Sequence, residues 1–281
     1  MKSEEPHLNP NLAYAVKIVH ATYCLAGSAS YLADLRADLR DHGVIRAVGD
    51  HDTPALFDWL MEILSFQGIS DAVALGYMAE HGSVRWAEIA DALAGRPSCP
   101  KLAGYWRFYD CRYHKESSTC SEPNHIHACP LPRHPLRNGR LNQMAYSLFL
   151  FMRDVAENDF VGWIDSQLGA VDPQSPDRLT GLREALMGPL RNVYGVADKV
   201  LAMALSSLLL GAGKERPLWL EVGATFVAVD TLVHNFLHRT GILQRFSADH
   251  PYGERCYRQG GCASILGLLA AHIDAREFSI R

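Results

Sequence analysis

Apolar residues recur every three or four positions along most of this chain, and no stretch keeps the alternation of a half-buried strand. Leu12, Val16, Val19, Tyr23, Leu32, Leu35 and Leu39 set this rhythm over residues 11 to 41, around an interruption at Gly27-Ser28. Cys24 falls among them and is expected in the core. After His51-Asp52-Thr53-Pro54, a cap followed by proline, the pattern resumes through Ala55 to Gly68 and continues in short segments from Ser70 to Gly82 and from Val84 to Leu93. It returns at Leu141 to Glu157, Asp159 to Leu168, Leu179 to Leu190, Asp198 to Leu210 and Ile265 to Ile273. These spacings predict an all-α fold: one helical domain over 1–281, or two closely packed helical lobes.

The rhythm fails once, from Gly95 to Gly139, where prolines, glycines, cysteines and histidines replace it. A structureless segment this long in a compact domain is functional or is held by something other than a core. Cys111, His114, Cys120, His125, His127 and Cys129 offer six soft or borderline metal ligands within nineteen residues, with Cys99 just upstream. Zinc takes four such ligands tetrahedrally and can order a loop that has no core. The best four are Cys111, Cys120, His127 and Cys129, with His114 or His125 as substitutes, so residues 95–140 read as a Cys/His-rich insertion with a structural zinc ion.

Seven cysteines cannot all pair internally, which fits a reducing compartment and a cytoplasmic protein. No run of eighteen apolar residues occurs, and no membrane partner is expected. The formal net charge of −4 counts against indiscriminate binding to phosphate backbones. A local basic surplus does exist: Arg96, Lys101, Arg107, Arg112, Lys115, Arg133, Arg137 and Arg140 face three acids, Asp110, Glu116 and Glu122.

The stretch from Tyr194 to Gly241 is the most specific part of the sequence. Asn192-Val-Tyr194-Gly195-Val196-Ala197-Asp-Lys199 is a glycine turn running into an apolar helix, and Val229-Asp230-Thr231-Leu-Val233 places an aspartate where a helix N-cap belongs, ahead of Arg239 and Gly241. The first end resembles the helix-hairpin-helix of the DNA glycosylase superfamily, written L-P-G-V-G-x-K-x-A. The second resembles that superfamily's V-D-T-H-V-x-R-x-x-x-R-x-G stretch. The chain departs from both: Ala197 replaces the second glycine, Leu232 replaces the histidine after the threonine, and Lys199 and Asp230 lie 31 positions apart (230 − 199). That gap is longer than in the endonuclease III branch and similar to that of archaeal 8-oxoguanine glycosylases.

The resemblance implies a helical glycosylase fold, with Lys199 as amine nucleophile and Asp230 as the essential carboxylate. It implies phosphate contacts from Tyr194, Gly195, Val196, Ala197 and Arg239, and a wedge residue at Gln67, which ends an L-S-x-Q stretch. The partner would be double-stranded DNA containing a damaged base, an oxidised purine such as 8-oxoguanine being the first candidate. Many endonuclease III relatives carry an iron-sulfur cluster in C-x6-C-x2-C-x5-C, of which only Cys256 and Cys262 have a counterpart; four thiolates are the normal requirement, so this cluster is not expected.

The chemistry suits these residue types. Base excision builds positive charge on the sugar, which a fixed carboxylate stabilises, and a lysine amine can displace the base and leave a Schiff base. Two competing functions use the same residues differently. A non-enzymatic DNA-binding protein would keep the hairpin and a structural metal loop, and a metal-dependent enzyme would need an open coordination position in the histidine-rich segment.

Overall fold

A computed structural model describes residues 9–26, 31–65, 71–95, 99–114, 116–133 and 140–273. Fifteen α-helices occupy them: α1 Pro10–Ala26, α2 Tyr31–Asp41, α3 Val44–Gly49, α4 Thr53–Ser65, α5 Asp71–His81, α6 Trp86–Leu93, α7 Tyr105–Phe108, α8 Arg140–Asp154, α9 Phe160–Gly169, α10 Arg178–Leu190, α11 Asp198–Ala212, α12 Pro217–Gly223, α13 Thr231–Arg239, α14 Ile242–Arg245 and α15 Cys262–Ala270. Among the described residues there is no β-strand, only an isolated antiparallel bridge between His114 and Thr119. The fold is all-α, as the spacing predicts. No helix among them is long and apolar enough to cross a membrane.

Helix starts follow the local sequence. Asp52 accepts from the Ala55 amide at 3.0 Å and Pro54 sits in the first turn of α4, where its missing N–H costs nothing. Asp159 and Asp230 cap α9 and α13 by accepting from Gly162 and Val233, each at 2.8 Å. The short helices α3, α7 and α14 have no counterpart in the sequence reading, and two further elements differ from it. The apolar approach from Leu218 forms a helix, α12, started by Pro217, and α15 begins at Cys262 rather than Ile265. Cys24 is exposed rather than buried, so α1 carries its apolar stripe on another face.

The buried side chains form two clusters. The larger is built on α11, which packs against α2, α3, α4, α10 and α12 and buries Ala204, Leu205, Leu208 and Leu209 almost completely. Each such leucine contributes about 1.5–3 kcal/mol of transfer free energy. The second cluster joins α1 to α13, α14 and α15 through Leu12, Ala15, Val229, Leu237, Ile242, Leu243, Ile265 and Leu269. Its closure brings α1 against α13 and α14: the Tyr14 hydroxyl donates to the Thr240 carbonyl at 2.9 Å, and the Arg245 guanidinium lies 3.9 Å from the centre of the Tyr14 ring.

Helix α8 is buried on every side from Asn142 to Met152, which marks it as a core element despite its polar residues. Those polar residues hold irregular backbone. Ser147 Oγ accepts from the Tyr194 amide at 2.9 Å, and Asn142 donates to the Leu131 carbonyl at 2.6 Å. One helix therefore fixes both the turn before α11 and the end of the cysteine-rich segment.

Candidate functional site

The turn between α10 and α11 is where the sequence places a hairpin. Gly195 takes φ +72°, the left-handed conformation that glycine adopts without strain, and Ala197 is the extended N-cap residue of α11. Lys199 follows as the second residue of α11 and is half-buried. Arg191 ties the two helices together through Glu184, at 2.5 Å, and Asp198, at 3.0 Å.

This turn forms one wall of an open cleft of about 900 Å³, lined by Arg183, Arg191, Val196, Ala197 and Lys199. The facing wall is the segment Tyr252 to Gln259, contributing Tyr252, Glu254, Tyr257 and Arg258. Asp230 adjoins that wall. Burial first, then Cys256 and the charge of Asp230, raise the Tyr252 phenol above its ordinary pKa. The Tyr257 hydroxyl accepts from the Val229 amide at 2.7 Å and donates to the Val229 carbonyl at 2.9 Å, fixing the residue immediately before Asp230. Tyr257 also packs against both apolar clusters.

Of the other residues singled out in the sequence, Val196 and Ala197 line the cleft, whereas Tyr194 and Gly195 are not among its lining residues. Arg239 is exposed in the last turn of α13, at the opposite end of that helix from Asp230. Leu232, at the position of the family histidine, is 76% exposed. Gln67 lies outside the described residues, as do Arg96, Lys115 and Arg137. Within the basic surplus, Lys101 pairs with Asp110 at 3.8 Å, Arg112 donates to the carbonyls of Tyr109 and Cys111, and Arg107 is exposed.

Behind the cleft wall four buried donors converge: His234, His250, Cys256 and Cys262 place one ligand atom each within 4.8 Å of the others. His234 Nδ1 lies 3.4 Å from Cys262 Sγ and 3.6 Å from Cys256 Sγ, and His250 Nε2 lies 3.5 Å from Cys262 Sγ. His250 Nδ1 donates to the Ala248 carbonyl at 2.5 Å, which leaves Nε2 with its lone pair toward the group, the usual arrangement for a metal-ligating histidine. Burial, followed by the charges of His250 and His238, holds the His234 imidazole below its ordinary pKa. Burial, with Cys256 beside it, pushes the Cys262 thiol up. The group can hold a metal ion.

This site was missed in the sequence. Cys256 and Cys262 are noticed there only as a fragment of a cluster motif, and the two histidines are not connected with them. The signal was present as H-x15-H-x5-C-x5-C, a wide spacing in which no two donors are closer than six positions.

The cysteine-rich segment is arranged differently. Cys99, Cys111, Cys120 and Cys129 line one small void of about 20 Å³ together with His125 and Glu122. Cys111 is raised by burial first and then by Cys99 and Cys120, and Cys129 is pushed up to about 11 by burial first and then by Cys111, Cys99 and Cys120. His127 is exposed and does not line the void, so of the four ligands chosen from sequence three come together and Cys99 stands in the place given to His127.

Compared with protein-family models, with curated proteins and with solved structures, the chain matches none of them.

Proposed function

We propose that the chain is a DNA glycosylase with lyase activity, of helix-hairpin-helix type, acting on a damaged base such as an oxidised purine. The observation that carries this reading is the placement of Lys199 at the start of α11, on a cleft whose facing wall adjoins Asp230. A flipped nucleotide needs such a recess, because its glycosidic bond is out of reach inside a duplex.

In this reading Lys199 Nζ bonds to C1′ as the glycosidic C–N bond breaks, and the base leaves with a proton. Asp230 stabilises the positive charge that builds on the sugar, takes up the proton of the attacking amine and returns it to O4′ as the C1′–O4′ bond breaks and the ring opens to the iminium. Loss of a C2′ proton from the resulting iminium then breaks the C3′–O bond. Arg183, Arg191 and Arg258 on the cleft are the cations for the flanking phosphates, although each is already engaged with a carboxylate: Arg183 with Glu184, Arg191 with Glu184 and Asp198, and Arg258 with Glu254.

The metal centre is structural in this scheme, and zinc fits it best. Zinc bonds of 2.3 Å to sulfur and about 2.0–2.1 Å to nitrogen at tetrahedral angles give S···N edges of about 3.6 Å. Three of the four S···N separations here are 3.4, 3.5 and 3.6 Å, and all four ligand atoms lie within 4.8 Å of one another. An iron-sulfur cluster would hold ligands of different irons farther apart than this, and two imidazoles take the place of two thiolates. Four protein ligands leave no open position for substrate. An ion held by His234, His250, Cys256 and Cys262 would pin Tyr252 to Gln259 across from Lys199.

Borohydride trapping on duplexes carrying single lesions or abasic sites tests the proposal. Wild-type protein is expected to form a covalent adduct that disappears in Lys199→Gln, while Asp230→Asn lowers base release on the order of 10²–10⁴-fold. Absence of adduct and of base release on every duplex would overturn the enzymatic reading.

A further inference from the structure

We propose that Cys99, Cys111, Cys120 and Cys129 bind a second metal ion, a single zinc-type ion held by four thiolates. This site is separate from the His234 centre and does not depend on the glycosylase reading.

The argument begins with what holds this part of the chain. Among the described residues from Cys99 to Arg133 the backbone forms only short elements: the 3-10 turns Pro100–Ala103 and Leu131–Arg133, the six-residue 3-10 helix Pro123–Ala128, the one-turn helix α7, and the bridge between His114 and Thr119. Turns this short are not self-supporting. Apolar packing helps on one side, where Leu102, Phe108, Tyr113 and Leu131 are buried. All four cysteines belong to that core or pack against it, and all four line the same small void. They follow one another at intervals of 12, 9 and 9 residues (99 to 111, 111 to 120, 120 to 129), so each irregular stretch between them is anchored at both ends.

The void decides the kind of occupant. At about 20 Å³ it has room for roughly one water-sized particle, which suits one ion and excludes a multi-iron cluster. Neither a water nor an apolar atom would draw four thiols together there, whereas a soft divalent ion does so and deprotonates them. Among the described residues the His234 group is the one whose donors already lie within 4.8 Å, so the four sulfurs ring their void more widely and close inward on the ion. Support for a thiolate-rich centre surrounds it. Gln143 of α8 directs its amide Nε2 at Cys111 Sγ from 4.0 Å, and Lys101, whose ammonium pairs with Asp110 at 3.8 Å, lines the same void. His125 and Glu122 also line it and stand as donors of the rim rather than of the four-sulfur set.

Elemental analysis with zinc-edge X-ray absorption on the full-length protein tests this. The expected result is two zinc ions per chain, with a mean of about three sulfurs and one nitrogen per ion, since one site supplies four sulfurs and the other two of each. Cys120→Ser, at one of the two half-buried members of the four, should lose one of the two ions while Cys262→Ser loses the other. One zinc per chain with two sulfurs and two nitrogens would overturn the proposal, and so would undiminished zinc in Cys120→Ser. Iron with acid-labile sulfide would overturn the single-ion assignment. The wild-type absorption measurement decides the matter even where Cys120→Ser does not fold.

Discussion

The two walls of the cleft are built on opposite principles. On the hairpin side most restraints are local: α10 and α11 are regular helices and Arg191 bridges Glu184 and Asp198 across the turn, with one distant tie from buried Ser147 of α8, which accepts from the Tyr194 amide. On the other side Tyr252 to Gln259 contains one 3-10 turn, Glu254–Tyr257, flanked by Gly253 at φ +154° and Gly260 at φ +75°. Side chains fix that wall, with His250, Cys256 and Cys262 from its own neighbourhood meeting His234 of α13. Gly261 makes the meeting possible, because a Cβ there would lie 2.0 Å from the Arg255 carbonyl oxygen. A wall made of helices carries its cause in residues three or four apart. A wall made of converging side chains stands only while whatever joins them is in place.

Removing that junction is therefore the largest perturbation. Cys262→Ser, or chelation of the wild-type protein, should release the metal and cost more than about 4 kcal/mol, the range in which loss of a structural metal belongs. Hydrogen exchange should lose protection across residues 229–269, where the second apolar cluster closes around Cys256 and Cys262, and keep it in α11. Equal loss in α11 would break the comparison, since both walls would then depend on the same ion.

A smaller effect is expected at the joint between this wall and Asp230. Tyr257→Phe leaves the buried Val229 amide and carbonyl without the hydroxyl that pairs with both, at a cost of about 1–3 kcal/mol. Because Val229 precedes Asp230, single-turnover base release should fall by more than the folded fraction does. Denaturant melts beside the kinetics check this, and a rate that merely tracks the folded fraction would mean that Tyr257 supports the wall without positioning Asp230.

The same contrast explains what could be read from the sequence. Most of the longer helices, the caps at Asp52 and Asp230, and the turn at Gly195 were legible because each depends on residues within four positions. Their catalytic use is not a matter of local pattern and rests on the proposed experiments. The His234 centre was illegible for the converse reason: its donors span 28 positions (234 to 262), and α13, the 248–261 backbone and α15 must all be placed before they meet. In the cysteine-rich segment, closeness in sequence was a poor guide, favouring exposed His127 over buried Cys99. Cys24 was misassigned because a regular apolar spacing does not say which helix face finds a partner.

The mildest test lies in the hairpin wall. At Gly195 an added Cβ would meet nothing closer than Met144 Cε at 3.9 Å, so Gly195→Ala has no steric cost and only the penalty of holding alanine at φ +72°. That penalty is about 1–2 kcal/mol, partly offset by the lower conformational entropy of the unfolded alanine chain. Thermal melts should therefore show a modest loss of stability, and metal content should be that of the wild type. Since α10 and α11 remain helical and Arg191 still joins them, Lys199 should stay on the cleft and borohydride trapping should fall by less than about tenfold, the equivalent of 1.4 kcal/mol. Release of metal by this substitution would show that the turn at Gly195 and the loop across from it are one cooperative unit rather than two independently held walls.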